Sequence, residues 1–173
     1  MIDIKKVVYN CLAIWLVCVC TMAHGHALKE TTATITVRSG QLDILVNANF
    51  AHWLSTLHSH EAWLLGDTEL VLLANQTDKH KAKQLKEMIV QRTGVAVNGH
   101  KLKCSVNQFP SNLSELQKAH HTRSYFRLGC IAPNSQINSV ALSLPKSLGR
   151  IYVSLVRPKQ QVIGAGEKAM FNL

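Results

Sequence analysis

The strongest constraint on this chain is its strand punctuation. "TTATITVR", Thr31 to Arg38, alternates β-branched and small residues, "SGQ" turns the chain, and "LDILVNA", Leu42 to Ala48, alternates again, which is the pattern of a β-hairpin. Further on, "VAVNGHKLKCSV" places Asn98-Gly99 between two alternating runs, a strong hairpin signal. "SYFRLGCIA", "INSVALSL", "GRIYVSLVR" and "QQVIGAG" then follow, separated by Pro133-Asn134, Pro145 to Gly149 and Pro158-Lys159. Short strands at this spacing predict a sandwich.

Helical periodicity interrupts the strands. From Asn49 onward, Phe50, Trp53, Leu54, Leu57 and Leu64 fit one apolar stripe, with Asn47 or Asn49 as cap and Gly66 as stop. "TELVLLA" from Thr68 reads as a short strand or a buried turn. The clearest helix spans 78–93, with Thr77 as cap, Ala82, Leu85, Met88 and Ile89 on the apolar face and Gly94 just past the end. "PSNLSELQKAHHT" reads as a polar connection with one helical turn starting near Ser114. The expected fold class is α+β: an antiparallel β-sandwich with a helical insertion after the first hairpin.

The N-terminus has the order of a secretory signal: Lys5 and Lys6, the apolar run "VVYNCLAIWLVCVC", then small residues. The 14 residues from Val7 to Cys20 fall short of the roughly 20 that a membrane-spanning helix needs. Residues 1–27 are therefore expected to be a signal peptide and residues 28–173 a single exported β-rich domain, periplasmic or secreted; a retained N-terminal anchor is the alternative. Cleavage after Ala27 discards His24 and His26. Cleavage after Ala23 or Gly25 instead leaves a new N-terminus whose amine and histidine can chelate copper.

Cys11, Cys18 and Cys20 lie within the expected signal, so an exported domain keeps only Cys104 and Cys130. An even count in an oxidising compartment makes one disulfide the economical reading, with two separate thiols or a metal pair as alternatives. Residues 28–173 carry 17 basic and 9 acidic residues, a net +8. A basic surface suits nucleic acid, an acidic protein partner or anionic lipid; the positive charge is scattered along the chain, which favours a generally basic solvated surface, or attraction to the membrane, over a nucleic-acid site. Lys81, Lys83 and Lys86, with Lys79 and His80, are expected on the polar face of the 78–93 helix. Such a run reads either as a solvated helix face or as a contact for an acidic cell-envelope partner or lipid headgroups, and Lys81, Lys83 and Lys86 are the residues assigned to that contact.

Catalytic signatures are missing from the sequence: no G-x-S-x-G, no phosphate-binding glycine loop and no H-E-x-x-H. Asp67 and Glu69 in "GDTE" read as a polar turn. The chain is accordingly read as a non-enzyme. Histidine is the over-supplied ligand type, and "AHWLSTLHSHEAW" holds His52, His58, His60 and Glu61 in ten residues. On one continuous helix His52 and His60 share a face. If the chain leaves the helix near Ser59, His58 and His60 share a strand face. Either arrangement offers two imidazoles to copper, nickel or zinc. His120-His121 is a weaker pair, because adjacent side chains diverge.

"AHGHALKETTATITV", followed by "ILVNANFAHWL" and "LLGDTEL", resembles the exported N-terminal domain of hydrogenase/urease accessory proteins of the nickel-permease type. The likeness covers about the first third of residues 28–173. It implies a β-rich exported domain; the family's membrane part has no counterpart in these residues, so transport is not carried over, and no metal ligand is transferred. The histidine-led start is also similar to small periplasmic copper-resistance β-sandwich proteins, but without the Ser-x-Pro that follows their histidine. The expected function is a periplasmic binding or accessory protein acting on another envelope component through its β-sandwich surface. A copper or nickel chaperone is the alternative.

Overall fold

A computed structural model describes residues 31–38, 40–119, 123–132 and 136–157. The signal segment 1–27, His24, His26, His120-His121 and the strand expected in "QQVIGAG" lie outside these residues. Alternation dictates the first hairpin. Strand β1 (Thr31–Arg38) pairs antiparallel with β2 (Gln41–Asn49), and in β2 Leu42, Ile44, Val46 and Ala48 are buried while the residues between them are not. On the other side β2 pairs antiparallel with β6 (Arg123–Ile131), setting Leu42 opposite Cys130, Ile44 opposite Leu128 and Val46 opposite Phe126. One face of the sheet thereby becomes a continuous apolar floor.

The strand runs into a helix without a loop. Asn49 closes β2 and also caps helix α1 (Phe50–His58), its side chain accepting from the His52 N–H at 3.1 Å. Helix α1 buries Phe50, Trp53, Leu54 and Leu57, as its periodicity predicts. It stops at Ser59, whose extended backbone ends α1 and whose hydroxyl caps a second short helix, α2 (His60–Leu64), by accepting from the Ala62 N–H. The single helix expected through Leu64 is thus two, and Leu64 leaves the apolar stripe. "TELVLLA" forms no strand; it buries Thr68 and Leu72, and the Leu72 N–H donates to the Leu57 carbonyl at 2.7 Å. Helix α3 (Asp78–Arg92) begins at its Thr77 cap and is the insertion's longest element.

The remaining strands divide between two sheets. β3 (Gly94–Val97) and β4 (His100–Lys101) form the expected hairpin, with positive φ at both Asn98 (49°) and Gly99 (81°), the geometry that lets a two-residue turn follow the strand twist. The chain then leaves this sheet at Leu102. β5 (Cys104–Gln108) pairs instead with β6, and after it come helix α4 (Leu113–Lys118) and β7 (Val140–Ser143), which pairs with β3. A 3-10 turn at Lys146–Leu148 precedes β8 (Ile151–Val156), which lies parallel to β1. The architecture is α+β, with one sheet in the order β5-β6-β2-β1-β8 and another in the order β4-β3-β7. Both are rich in antiparallel pairs, and the helices enter after the first hairpin.

Four aromatic rings join the helices to the floor. Trp53 stacks on Phe126 at 5.9 Å between centroids and meets Phe50 edge-on at 5.2 Å, while Phe109 approaches Phe50 at 5.8 Å and Phe126 at 6.2 Å. The buried Trp53 indole N–H donates to the Ser147 hydroxyl at 3.0 Å, tying α1 to the 3-10 turn. At the sheet edge, Cys104 and Cys130 face each other across β5 and β6 and are disulfide-bonded. Opening this bond by Cys104→Ser with Cys130→Ser is expected to cost about 3 kcal/mol, given a closed loop of this size. Urea unfolding of the oxidised protein and the double variant measures the difference.

Candidate functional site

Two of the lysines expected to bind a partner, Lys83 and Lys86, meet one aromatic ring in a groove. One wall is the exposed flank of α3, carrying Lys79, Lys83 and Lys86; the other is the Phe109-Pro110-Ser111 segment after β5. The groove has a volume of about 750 Å³, inside the span of roughly 300–1,000 Å³ typical of ligand pockets. Lys86 Nζ stands 5.9 Å from the Phe109 ring centroid, within cation–π range, and Lys83 Nζ is 3.9 Å from Glu87 Oε1 one helical turn on. The site therefore combines an apolar floor with a cationic rim.

Asp78 ties the starts of two helices together beside the groove. In the first turn of α3, its carboxylate accepts from the Ser114 N–H at 2.9 Å and from the Ser114 hydroxyl. Asn112 makes no side-chain capping bond to α4, so Asp78 supplies that cap from the neighbouring helix. The start of α4 is held against the start of α3, with the 109–111 wall between β5 and α4. The Ser114 hydroxyl, reinforced by the Ser114 N–H, holds the Asp78 carboxyl below its ordinary value despite partial desolvation.

Lys81 departs from the expected polar face that Lys83 and Lys86 occupy: it is only 6% exposed, lies on the buried side with Leu85, Met88 and Ile89, and its Nζ donates to the Ala74 carbonyl at 3.4 Å. The spacing explains this: positions 81, 85 and 88 fall on one face, and a lysine stem can pack there while its ammonium finds a carbonyl. Lys81 is a structural residue, and the rim belongs to Lys79, Lys83 and Lys86.

The histidine segment is laid out differently from either expected geometry. The break at Ser59 prevents His52 and His60 from sharing a continuous helix, and His60 opens α2 instead of joining His58 on a strand. His52, His60 and Glu61 are exposed. His58 Nδ1 lies 2.5 Å from the Leu54 carbonyl oxygen, which can only accept, so that nitrogen donates and is occupied within its own helix. Among the described residues no group of three or more His, Cys, Asp or Glu side chains is placed to hold a metal ion. No helix among them is long and apolar enough to cross a membrane.

Sequence reasoning missed Phe109 and Pro110. Their one local signal is an aromatic-proline pair just after a strand, and its meaning depends on α3 packing alongside.

Charge reversal separates the lysine roles. Lys81→Glu is expected to destabilise the fold by roughly 2–3 kcal/mol, since it sets a carboxylate in a buried site facing a carbonyl. Lys83→Glu should stay within about 0.5 kcal/mol; denaturant midpoints decide. For Asp78 the folded pKa is depressed, so the charge contributes stability above the unfolded value of about 3.9 and loses it as pH falls through the folded value. Asp78→Asn should therefore be less stable than the parent at pH 7, with the gap closing in acid; unfolding curves from pH 7 to 2 test this. Compared with known proteins, the chain matches no family model, no curated protein and no solved structure.

Proposed function

We propose that this chain is an exported binding or accessory protein, and that it recognises another cell-envelope component through the groove between α3 and Phe109-Pro110. The observation that carries this reading is the pairing of a sizeable apolar groove with three exposed lysines on its rim. An acidic, apolar-anchored segment of a partner protein fits that chemistry: an aromatic or aliphatic side chain fills the floor and flanking carboxylates meet the lysines. Charge of this kind accelerates encounter and selects the partner, while the anchor supplies most of the residence time.

Export rests on the signal-like first 27 residues, and an oxidising destination agrees with the Cys104–Cys130 bond. The resemblance to the exported domain of nickel-permease-type accessory proteins belongs to the same reading. So does a sandwich-like packing of the two sheets, which would leave the helical insertion as the surface offered to a partner. On this reading the binding surface is made by that insertion and the segment after β5, and the groove between them supports it.

A labelled peptide with one tryptophan flanked by glutamates reports the binding by fluorescence anisotropy. Micromolar affinity is expected, weakening as salt shortens the electrostatic range below about 10 Å. Lys83→Glu with Lys86→Glu should abolish it at unchanged thermal stability. Equal binding by the parent and this double variant would remove the groove from the function.

A further inference from the structure

The second unusual surface is the segment between α1 and α3. Helix α2 buries no side chain, and it presents Trp63 (52% exposed), Leu64 (76%) and Leu65 (70%) at its end. These are large apolar groups on a short protrusion, away from the core that most such residues occupy. The protrusion is firmly built. Its base is closed by the Leu72 N–H bond to the Leu57 carbonyl, and its tip by Gly66 at φ 76°, with the Gly66 N–H donating to the Trp63 carbonyl and the Asp67 N–H to the Ala62 carbonyl. That pair of bonds is a Schellman motif, in which glycine takes the left-handed position. The backbone that carries the three side chains is thus fixed before contact, which leaves only side-chain rotamers to be ordered on docking.

The electrostatic setting of this knob decides what covers it. Between Arg38 and Lys79 the sequence has no lysine or arginine but five carboxylates: Asp43, Glu61, Asp67, Glu69 and Asp78. Exposed Glu61 and Asp67 flank Trp63 to Leu65 directly. Carboxylates at that position oppose an anionic lipid surface and favour an apolar pocket with a cationic rim. The α3 groove is such a pocket, with Phe109 and Pro110 on its floor and Lys79, Lys83 and Lys86 at its edge.

We infer that the Trp63-Leu64-Leu65 knob of one copy of this chain docks into the α3–Phe109 groove of a second copy. This rests on the groove being a binding surface, as proposed above, and it makes self-association and partner capture compete for one site. Knob and groove are different patches, so the contact is heterologous: two copies exchange it reciprocally, or it propagates from copy to copy. Self-association then shields the groove until an acidic partner displaces the knob.

Sedimentation of the exported chain over a range of concentrations, at low and high salt, tests the inference. Reversible association weakened by salt is expected, with Trp63→Ala reducing it about 30-fold, as for a central aromatic anchor. Two charge variants make the test sharper. K83E/K86E has an acidic knob facing a reversed groove, and E61K/D67K has a basic knob facing a basic groove, so neither should associate alone. Mixed, each knob meets a groove of opposite charge, and association should return; its return also demonstrates that both variants are folded. A chain that stays monomeric at every concentration overturns the inference, as does association unaffected by Trp63→Ala or a mixture that stays apart. Trp63-dependent binding to phosphatidylcholine vesicles without self-association also overturns it, by assigning the knob to a bilayer. The tryptophan-glutamate peptide keeps the two readings apart: at dilutions where the parent is monomeric Trp63→Ala should bind it as the parent does, and at higher concentrations more tightly than the self-docked parent, so the groove can stand when self-docking fails.

Discussion

Trp53 holds the layers of this protein together. Its ring lies on Phe126 in the central floor of the larger sheet, its edge meets Phe50, and its indole N–H reaches Ser147 in the turn before β8. A buried indole must satisfy its N–H, and meeting that need at Ser147 links α1 to a segment far along the chain. The same aromatic cluster extends through Phe109, which touches Phe50 and Phe126 inside and faces Lys86 outside. The groove floor is therefore the outer end of the core, and its geometry is inherited from core packing.

Two polar contacts turn that packing into a site. Asp78 caps α4 from the neighbouring helix, fixing the segment that carries Phe109 and Pro110 relative to α3. Lys81 lies on the buried face of α3 with Leu85, Met88 and Ile89 and donates to Ala74, while Lys79, Lys83 and Lys86 are exposed. On the other side of the insertion, Ser59 ends one helix and caps the next. That break carries α2 away from the buried stripe, and the Gly66 turn then fixes the apolar residues at its tip.

Much of this architecture is legible in local sequence. The first hairpin, the Asn98-Gly99 turn, the helix after Thr77 and the pairing of Cys104 with Cys130 follow from alternation, turn chemistry, capping and cysteine arithmetic. Each signal lies within a few residues, except the cysteine pair, where simple counting suffices. In the run Leu102 to Val106 alternation continues, yet the strand passes from one sheet to the other, because its partner after Leu102 is β6 and no local feature announces that pairing. β8 likewise looks like any strand, and its parallel placement beside β1 depends on contacts more than a hundred residues apart.

The sequence by itself determined the kinds of elements, their order and the excess of positive charge, since backbone preference and hydrophobic period act over one or two turns. Tertiary structure decided which residues those elements expose. A lysine at a helical position can point its ammonium to water or lay its stem in the core, and Lys81 does the second because Ala74 supplies an acceptor. A run of histidines can converge or disperse, and the turn at Ser59 breaks the helix on which His52 and His60 would have shared a face. Leu64 fits an apolar stripe by count, yet the same turn carries it out to solvent. In each case the outcome depends on a neighbour outside the helix itself or on one backbone torsion: helical spacing permits Lys81 to lie beside Leu85 and Met88, but it does not say that an acceptor waits there.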